Sequence, residues 1–315
     1  MTQSNSLKVV TVTLNPALDL TGHLDTLNPG KVSLANTGSL HAAGKGVNVA
    51  KVLADLGADV TLTGFLGDDN QGPFTQYIHD MGATDAFIRV KGATRINVKL
   101  VERSGQVSDI NFPGVVVDAD AIQAFEQQLF SLAADHDVFV IAGSLPQGVD
   151  EHLCASWITR LKELNKRVIF DSSKAALKAG IEAAPWLIKP NDEELAEFEG
   201  KDELTDDEIK TAASNLAAKG IDNVVVSLGA NGVIWLKQGQ WLHAKPPKMS
   251  VVSTVGAGDT LVAGLCWALL HDWEHQEQIS FATALSALAV TQVGVGVNSL
   301  DDVSHLQHQI HFYQD

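Results

Sequence analysis

Residues 138–171 read VFVIAGSLPQGVDEHLCASWITRLKELNKRVIFD, and this stretch contains the alternation on which the fold depends. Two short apolar runs, VFVIAG (138–143) and RVIFD (167–171), flank a segment near 150–165 whose apolar residues have helical spacing. Strands that are apolar along their whole length are typical of a parallel sheet covered on both faces. The stretch therefore predicts two parallel strands joined by a helix.

The same alternation continues in both directions along the chain. Further strands are predicted at 9–14, 60–67, 186–190 and 224–229, with a hairpin at 232–244. Further helices are predicted near 46–56, 71–82, 119–134, 174–182, 205–219, 257–271 and 277–292. This order predicts the α/β class, with a mostly parallel sheet between two layers of helices.

Two segments depart from this rhythm, residues 15–42 and 89–112, because they alternate polar and apolar residues without long helical periods. Within the second, INVKLVE and VSDINF predict a β-hairpin with its turn near Ser104 and Gly105. We expect the two segments to form a small β lid at one edge of the main sheet. No Pro/Ser-rich linker divides the chain, so residues 1–315 are expected to form a single domain.

The composition limits the classes of partner. The chain has 315 residues, 45% of them hydrophobic, and 22 Lys and Arg against 38 Asp and Glu give a net charge of −16. Such a charge repels nucleic acid and anionic membranes, so neither is an expected partner. The first residues lack a signal-peptide pattern and no apolar run is long enough to span a bilayer, which predicts a cytoplasmic protein. Cys154 and Cys266 are too few and too distant for a disulfide framework.

The stretch VSTVGAGDTLVAGL (252–265) places small residues before an apolar helix. The amides of Gly256, Ala257 and Gly258 can bind an anion there, since a helix N-terminus presents free N–H groups and positive potential. Asp259 next to an anion is repelled unless it takes a proton from an attacking hydroxyl, as a kinase requires. The alternative is that Asp259 is only the N-cap of the helix.

A second glycine cluster, HAAGKGVNVAKVLADLG (41–57), opens another predicted helix. Gly44, Lys45, Gly46 and Asn48 can hold a sugar and its phosphate against the backbone. The GxxxxGK[ST] phosphate loop is absent. The alternative is a glycine turn with a solvated lysine.

Six motifs together occur in the order and spacing of the ribokinase-like (PfkB) sugar kinases, which the sequence resembles over essentially its whole length. They are NPALD (15–19), AGKGVNVAKVL (43–53), GSLPQGV (143–149), KPNDEE (189–194), VVVSLGANG (224–232) and STVGAGDT (253–260). The resemblance implies a three-layer αβα fold with a β lid. Within the family the sequence is most similar to members that use ATP and magnesium to convert fructose 1-phosphate to fructose 1,6-bisphosphate. Members that phosphorylate fructose 6-phosphate or tagatose 6-phosphate are the nearest alternative.

The resemblance implies roles on the sugar side. Asp259 is expected to be the catalytic base, with the amides of Gly256, Ala257 and Gly258 as the anion hole for the transferred phosphoryl group. Asp19 is expected to accept hydrogen bonds from sugar hydroxyls. Gly44, Gly46 and Asn48 match the sugar-binding turn, although Ala43 replaces a glycine that many relatives have.

The phosphate already on the sugar requires cations of its own. Arg95 in TRINVK is the first candidate, because a guanidinium binds phosphate through two parallel hydrogen bonds. Lys45 is a second candidate, and Lys31 and Lys99 are weaker ones. Ser144 in GSLP matches a position in the substrate pocket, although it can also be an ordinary turn serine.

On the nucleotide side, Asn191 and Glu194 match the family's NxxE motif and are expected to hold Mg²⁺, mostly through water. Lys189 is expected near the ATP phosphates. Ser227, Gly229, Gly232 and Thr254 match positions that line the nucleotide cleft. The resemblance further implies a homodimer that forms through the lid.

The sequence supports two other hypotheses about the function less well. A non-catalytic sugar-phosphate sensor is expected to have lost the base or the anion hole, and GAGD is intact. A dinucleotide-dependent oxidoreductase needs GxGxxG after its first strand, where this sequence has NPALD.

Overall fold

The computed structural model describes residues 7–313, and its strands and helices alternate as the sequence predicts. In chain order the strands are β1 (Lys8–Thr13), β2 (Ala17–Leu24), β3 (Ala35–Ala43), β4 (Asp59–Gly67), β5 (Thr84–Asp85), β6 (Ile88–Val90), β7 (Ile96–Glu102), β8 (Val107–Ile110), β9 (Val138–Ala142), β10 (Arg167–Asp171), β11 (Leu187–Ile188), β12 (Asn223–Ser227), β13 (Val233–Lys237), β14 (Gln240–Lys245) and β15 (His311–Tyr313). The helices are α1 (Lys45–Asp55), α2 (Gly72–Asp80), α3 (Ala119–Leu132), α4 (Glu151–Glu163), α5 (Lys174–Glu182), α6 (Asp192–Glu199), α7 (Asp206–Ala218), α8 (Ala257–Leu270), α9 (His275–Ala289) and α10 (Leu300–Gln307).

The main sheet has the strand order β15-β14-β13-β12-β11-β10-β9-β1-β4-β5, and β6 pairs with the far end of β4. The strands from β12 to β5 run parallel, whereas β13, β14 and β15 extend one edge as an antiparallel meander. Parallel strands need crossovers, and α3, α4 and α7 are among the helices that supply them.

Helices cover both faces of the main sheet because its strands are apolar on both sides. In β1, Val9 belongs to one core and Val10 and Val12 belong to the other. Side chains of α1, α2, α8, α9 and α10 fill the first core, and side chains of α3 to α7 fill the second. The predicted three-layer α/β architecture is therefore confirmed.

A second, four-stranded sheet with the order β3-β2-β7-β8 is built from the two segments that break the rhythm. The hairpin between β7 and β8 turns at residues 103–106, as the sequence predicts. The start of the segment 89–112 differs from the prediction, because residues 88–90 pair with the main sheet as β6. The elements α10 and β15 were not predicted from the sequence, since both are short.

The carboxyl ends of the parallel strands meet at one edge of the main sheet. Gly143, Asp171, Lys189 and Ser227 lie at the ends of β9, β10, β11 and β12. Open α/β sheets bind ligands outside this edge. The topology therefore brings four separate segments of the chain to one place.

No helix within residues 7–313 combines the length and the apolar character that a membrane crossing requires.

Candidate active site

A hydrogen bond joins the two glycine motifs. The side-chain amide of Asn48, in the first turns of α1, donates to Asp259 Oδ2 at 2.7 Å. Asp259 is only 7% exposed and lies in the first turn of α8. This contact brings two motifs that are 211 positions apart in the chain into one site.

The first turn of α8 has the features of an anion site. Gly256 is the N-cap, with φ of 80°, and no side chain caps the helix. The N–H groups of Gly258 and Asp259 precede the first intrahelical bond, which Thr260 donates to Gly256. The Ala257 N–H donates to the Thr254 carbonyl at 3.3 Å. The alternative that Asp259 is the N-cap is wrong, because that position belongs to Gly256.

A buried carboxylate holds two of the predicted lysines. Asp171 is 1% exposed, and its oxygens lie 3.2 Å from Lys45 Nζ and 3.4 Å from Lys189 Nζ. Lys189 is itself 4% exposed. The side chains that the sequence assigns separately to the sugar and to the nucleotide therefore share one counter-ion.

The same charges set the protonation of Asp259. Burial raises the pKa of Asp259 to about 6, and the negative charge of Asp171 acts in the same direction. The hydrogen bond from Asn48 and the charges of Lys45 and Lys189 oppose this rise. Burial lowers the pKa of Lys45, but the negative charges of Asp171, Glu194 and Asp259 and the hydrogen bond to Asp171 together outweigh it, so the net shift is upward. A carboxylate with a raised pKa next to two ammonium groups is suited to accept a proton near neutral pH.

A cavity of about 200 Å³ opens beside this cluster. Its lining includes four of the predicted sugar-side residues, namely Gly44, Lys45, Arg95 and Ser144. The lining also includes Thr13, Asn15, Gly143, Ser172 and Ser173. Cations and hydroxyls around a partly enclosed space of this size suit a phosphate group.

Arg95 is fixed by the loop that follows β1. Its Nη2 donates to the carbonyl of Asn15 at 2.9 Å and its Nε donates to that of Pro16 at 3.3 Å. Asn15 in turn donates to Ser144 Oγ at 3.2 Å. The NPALD and GSLP motifs are therefore joined at the cavity.

Asp19 lies in β2 beside Asn97 of β7, whose amide donates to Asp19 Oδ1 at 3.1 Å. Burial raises the pKa of Asp19, and the Asn97 hydrogen bond partly offsets the rise. Asn97 Oδ1 is buried without a hydrogen-bond partner. The four-stranded sheet therefore carries a carboxylate, which can accept hydrogen bonds, next to a side-chain amide.

The glycines of the AGKG turn are also required by packing. Gly44 has φ of 136°, and a Cβ there would lie 2.8 Å from Thr13 Cγ2. A Cβ on Gly46 would overlap the Thr13 hydroxyl. The turn is therefore pressed against the end of β1, which places Lys45 and Asn48 at the first turns of α1.

The weaker lysine candidates do not line this cavity. Lys31 lies in the exposed loop between β2 and β3. Lys99 lies in β7, where its ammonium is 3.7 Å from Asp109.

Asn191 and Glu194 form a capping box at the start of α6. Asn191 Oδ1 accepts from the Glu194 N–H at 2.6 Å, and Glu194 Oε2 accepts from the Asn191 N–H at 3.0 Å. Between residues 7 and 313, no group of three or more His, Cys, Asp or Glu side chains is arranged to hold a metal ion. The other carboxylate oxygen of Glu194 is not used in the box. A single such oxygen fits a Mg²⁺ ion that keeps most of its water, which is how the sequence analysis expects the metal to be held.

The remaining nucleotide-side residues lie next to this box. Ser227 N donates to Pro190 O at 3.1 Å, and a short turn follows from Gly229 to Asn231. A Cβ on Gly232 would overlap the Ala244 carbonyl, so packing requires glycine there. Thr254 is exposed and lies just before the Gly256 turn.

Several residues of the site were not identified from the sequence. Asp171 ends an apolar strand, and only its place at the carboxyl end of β10 could have marked it. Thr13 and Asn97 belong to strands that are otherwise ordinary. Ser172 and Ser173 follow Asp171 at the cavity wall.

The chain belongs to the family described as pfkB family carbohydrate kinase, whose sequence profile matches residues 10–302. Among named relatives, a 1-phosphofructokinase of Vibrio cholerae is 63% identical over 303 residues, covering 96% of each chain. The 1-phosphofructokinase of Escherichia coli K12 is 45% identical and covers 97% of this chain and 98% of its own. The solved structure of the tetrameric inhibited form of phosphofructokinase-2 from Escherichia coli has a TM-score of 0.88 and 27% identity, with 96% and 98% coverage.

These similarities show that the chain is an enzyme, a sugar-phosphate kinase whose family uses ATP as phosphoryl donor. The sensor and oxidoreductase hypotheses are therefore rejected.

The pKa of Asp259 can be measured directly. We expect carboxyl carbon NMR of the wild-type protein to give a pKa near 6, about two units above an ordinary aspartate. Asp171→Asn is expected to lower it, because the variant removes a neighbouring negative charge and leaves Lys45 and Lys189 without their counter-ion. The control Asp137→Asn removes an exposed aspartate paired with Lys166 and is expected to leave the value unchanged. A value near 4 in the wild type would contradict the assignment.

Proposed function

We propose that this kinase transfers the γ-phosphoryl group of ATP to the C6 hydroxyl of fructose 1-phosphate, giving fructose 1,6-bisphosphate and ADP. Asp259 is the general base and the first turn of α8 is the anion hole. The observation that carries this proposal is the Asn48–Asp259 hydrogen bond, which holds the carboxylate at the free N–H groups of Gly258 and Asp259. The names of both relatives support the choice of sugar phosphate.

In the proposed step, the C6 oxygen attacks the γ-phosphorus and the bond from that phosphorus to the ADP oxygen breaks. The proton of the hydroxyl passes to Asp259. The backbone N–H groups at the start of α8 and Lys189 stabilise the charge on the transferred group. A Cβ at position 258 would lie 3.7 Å from Lys189 Nζ, so the first turn of α8 and this ammonium are close enough to act on one phosphoryl group.

Mg²⁺ supplies charge neutralisation of the ATP phosphates when bound, and Asn191 and Glu194 would hold it through water. Ser227, Gly229, Gly232 and Thr254 are proposed to border the nucleotide. The four-stranded sheet is proposed to act as a lid of a single kinase domain, bringing Asp19 to the sugar hydroxyls and excluding water. ATP as the donor agrees with the cytoplasmic location that the sequence predicts.

The substrate is tested by ADP release with ATP, Mg²⁺ and, in parallel, fructose 1-phosphate, fructose 6-phosphate, tagatose 6-phosphate and fructose. We expect fructose 1-phosphate to lead in kcat/KM by at least about tenfold, which is roughly 1.4 kcal/mol of transition-state discrimination. If a sugar 6-phosphate has the highest kcat/KM instead, the proposed substrate is wrong and the kinase activity stands.

The base is tested by Asp259→Asn, which keeps the shape of the side chain but cannot accept the proton. We expect kcat to fall by about 10²–10⁴ while ATP binding, measured by calorimetry, changes little. The matched control is Asp120→Asn, since Asp120 is an exposed aspartate in the first turn of α3. Turnover of Asp259→Asn close to that of wild type would exclude this role.

We also propose a homodimer through the four-stranded sheet. Leu40, Leu20, Val98 and Ile110 are paired neighbours on β3, β2, β7 and β8 and form one row across the sheet. Leu40, Leu20 and Ile110 are 44%, 36% and 47% exposed. An apolar row of this kind on a chain with net charge −16 indicates a surface that is covered by another protein.

The assembly is tested by light scattering after size-exclusion chromatography. We expect the wild type to have twice the mass of one chain and Leu40→Glu to run as a monomer. Leu164→Glu is the control, because Leu164 is 48% exposed and follows α4 on the main domain. A wild-type monomer, or a dimer unchanged by Leu40→Glu, would refute the proposed interface.

A further inference from the structure

The N-cap of α5, Ser173, lines the cavity that Arg95 and Lys45 also line, and the residue that follows it has an uncommon backbone conformation. Lys174, the first residue of α5, has φ of 54°. Left-handed conformations are unfavourable for residues with a Cβ, and they are found mainly where the fold has a use for them. Glycine would adopt this conformation without cost.

Other residues of this kind have ordinary explanations. Asn165, Ala184 and Asp272 each stand two positions after the last residue of a helix, where a left-handed residue commonly ends it. Gln238 lies in the two-residue turn between β13 and β14, where the tight hairpin requires positive φ. Lys174 begins a helix, so neither explanation applies to it.

Ser173, the residue before Lys174, also has a side chain for which the fold shows no use. Ser173 is the N-cap of α5 and lines the cavity, but its side chain makes no capping hydrogen bond. Elsewhere in residues 7–313 the N-cap side chains of the Ser, Thr, Asp and Asn types accept from their helices, whereas Gln71 and Glu274, like Ser173, do not. The N-caps that accept are Asp118, Asp150, Asn191, Thr205 and Ser299. The Ser173 hydroxyl and the first N–H groups of α5 are therefore available to a ligand.

A third observation indicates a ligand in the same cavity. Thr13 also lines it and is only 2% exposed, and its hydroxyl is buried without a hydrogen-bond partner. Buried hydroxyls are normally paired, so an unpaired one at a cavity wall points to a partner supplied from outside the chain.

The charges already at the site do not favour a phosphate dianion. The cations Lys45, Lys189 and Arg95 are matched by the carboxylates Asp171, Asp259 and Asp19. A phosphate monoester carries about −1.5 to −2 charges at pH 7. Lys174 is exposed, and within residues 7–313 its ammonium forms no ion pair or hydrogen bond. It adjoins Ser173, so its flexible side chain can bring the missing positive charge to the cavity mouth.

We propose that Ser173 and Lys174 bind the phosphate that the sugar substrate already carries, together with Arg95 and Lys45. The ammonium of Lys174 contributes to substrate affinity at a position where the backbone favours glycine. This inference rests on the proposed function for the identity of the sugar phosphate, but its chemistry requires only a phosphate ester in the cavity.

The test measures binding separately from turnover. Lys174→Ala and Lys174→Gly remove the ammonium, and we expect each to raise the calorimetric Kd and the KM for fructose 1-phosphate by about tenfold or more. The KM for ATP and kcat are expected to stay within about twofold of the wild-type values, because Lys174 is proposed to contact the phosphate of the sugar and not the reacting groups. Lys174→Arg is expected to restore most of the affinity. Lys174→Gly is also expected to keep or raise Tm, since glycine relieves the backbone conformation.

Lys178→Ala is the matched control, since Lys178 is an exposed lysine one turn further along α5. It is expected to change none of these quantities by more than about twofold. Unchanged affinity in Lys174→Ala and Lys174→Gly would overturn the proposal, as would equal losses for ATP and the sugar phosphate.

Failure of the proposed function gives a different pattern. If the wild type binds fructose 1-phosphate without turning it over, the function fails and the Kd values still decide the role of Lys174. If another sugar phosphate leads the substrate panel, the same variants are measured with that compound. A wild type that binds none of the sugar phosphates overturns both proposals.

Discussion

The buried carboxylate of Asp171 is the constraint on which the site depends. It is almost completely removed from water and lies within 3.4 Å of two ammonium groups, Lys45 on α1 and Lys189 after β11. An unpaired charge in such a place is strongly unfavourable, and breaking a buried pair typically costs about 3–5 kcal/mol. Asp171 therefore fixes a sugar-side lysine and a nucleotide-side lysine relative to one strand of the sheet. The same negative charge helps to raise the pKa of Asp259.

This arrangement explains how a chain with net charge −16 can bind two anionic substrates. Long-range attraction is absent, so anions must be held by short-range donors: backbone N–H groups at helix starts and a few cations in fixed positions. Balancing Lys45, Lys189 and Arg95 with Asp171, Asp259 and Asp19 keeps the protein's own charges at the site close to neutral. The cations are thus positioned before a ligand arrives.

Much of the fold and part of the site could be predicted from the sequence. The strands of the parallel sheet are continuous apolar runs, and the turn at Ser104 and Gly105 has a local signature. Asp259 could be identified because its glycine neighbours mark a helix start. The pairing of Asp171 with Lys45 could not, since 126 residues separate them and no local pattern encodes which strand ends meet. The position of Lys31 could not be predicted either, because it lies in a loop whose sequence has no periodic pattern.

The glycine motifs also show why family motifs indicate the fold more directly than the substrate. Gly44, Gly46 and Gly232 are required by close packing against neighbouring backbone or side chains, whatever ligand is bound. Any kinase with this sheet and these turns needs them. Discrimination among sugar phosphates must therefore come from residues that the packing does not dictate. Lys174 is such a residue, because the backbone conformation there disfavours the side chain that is present.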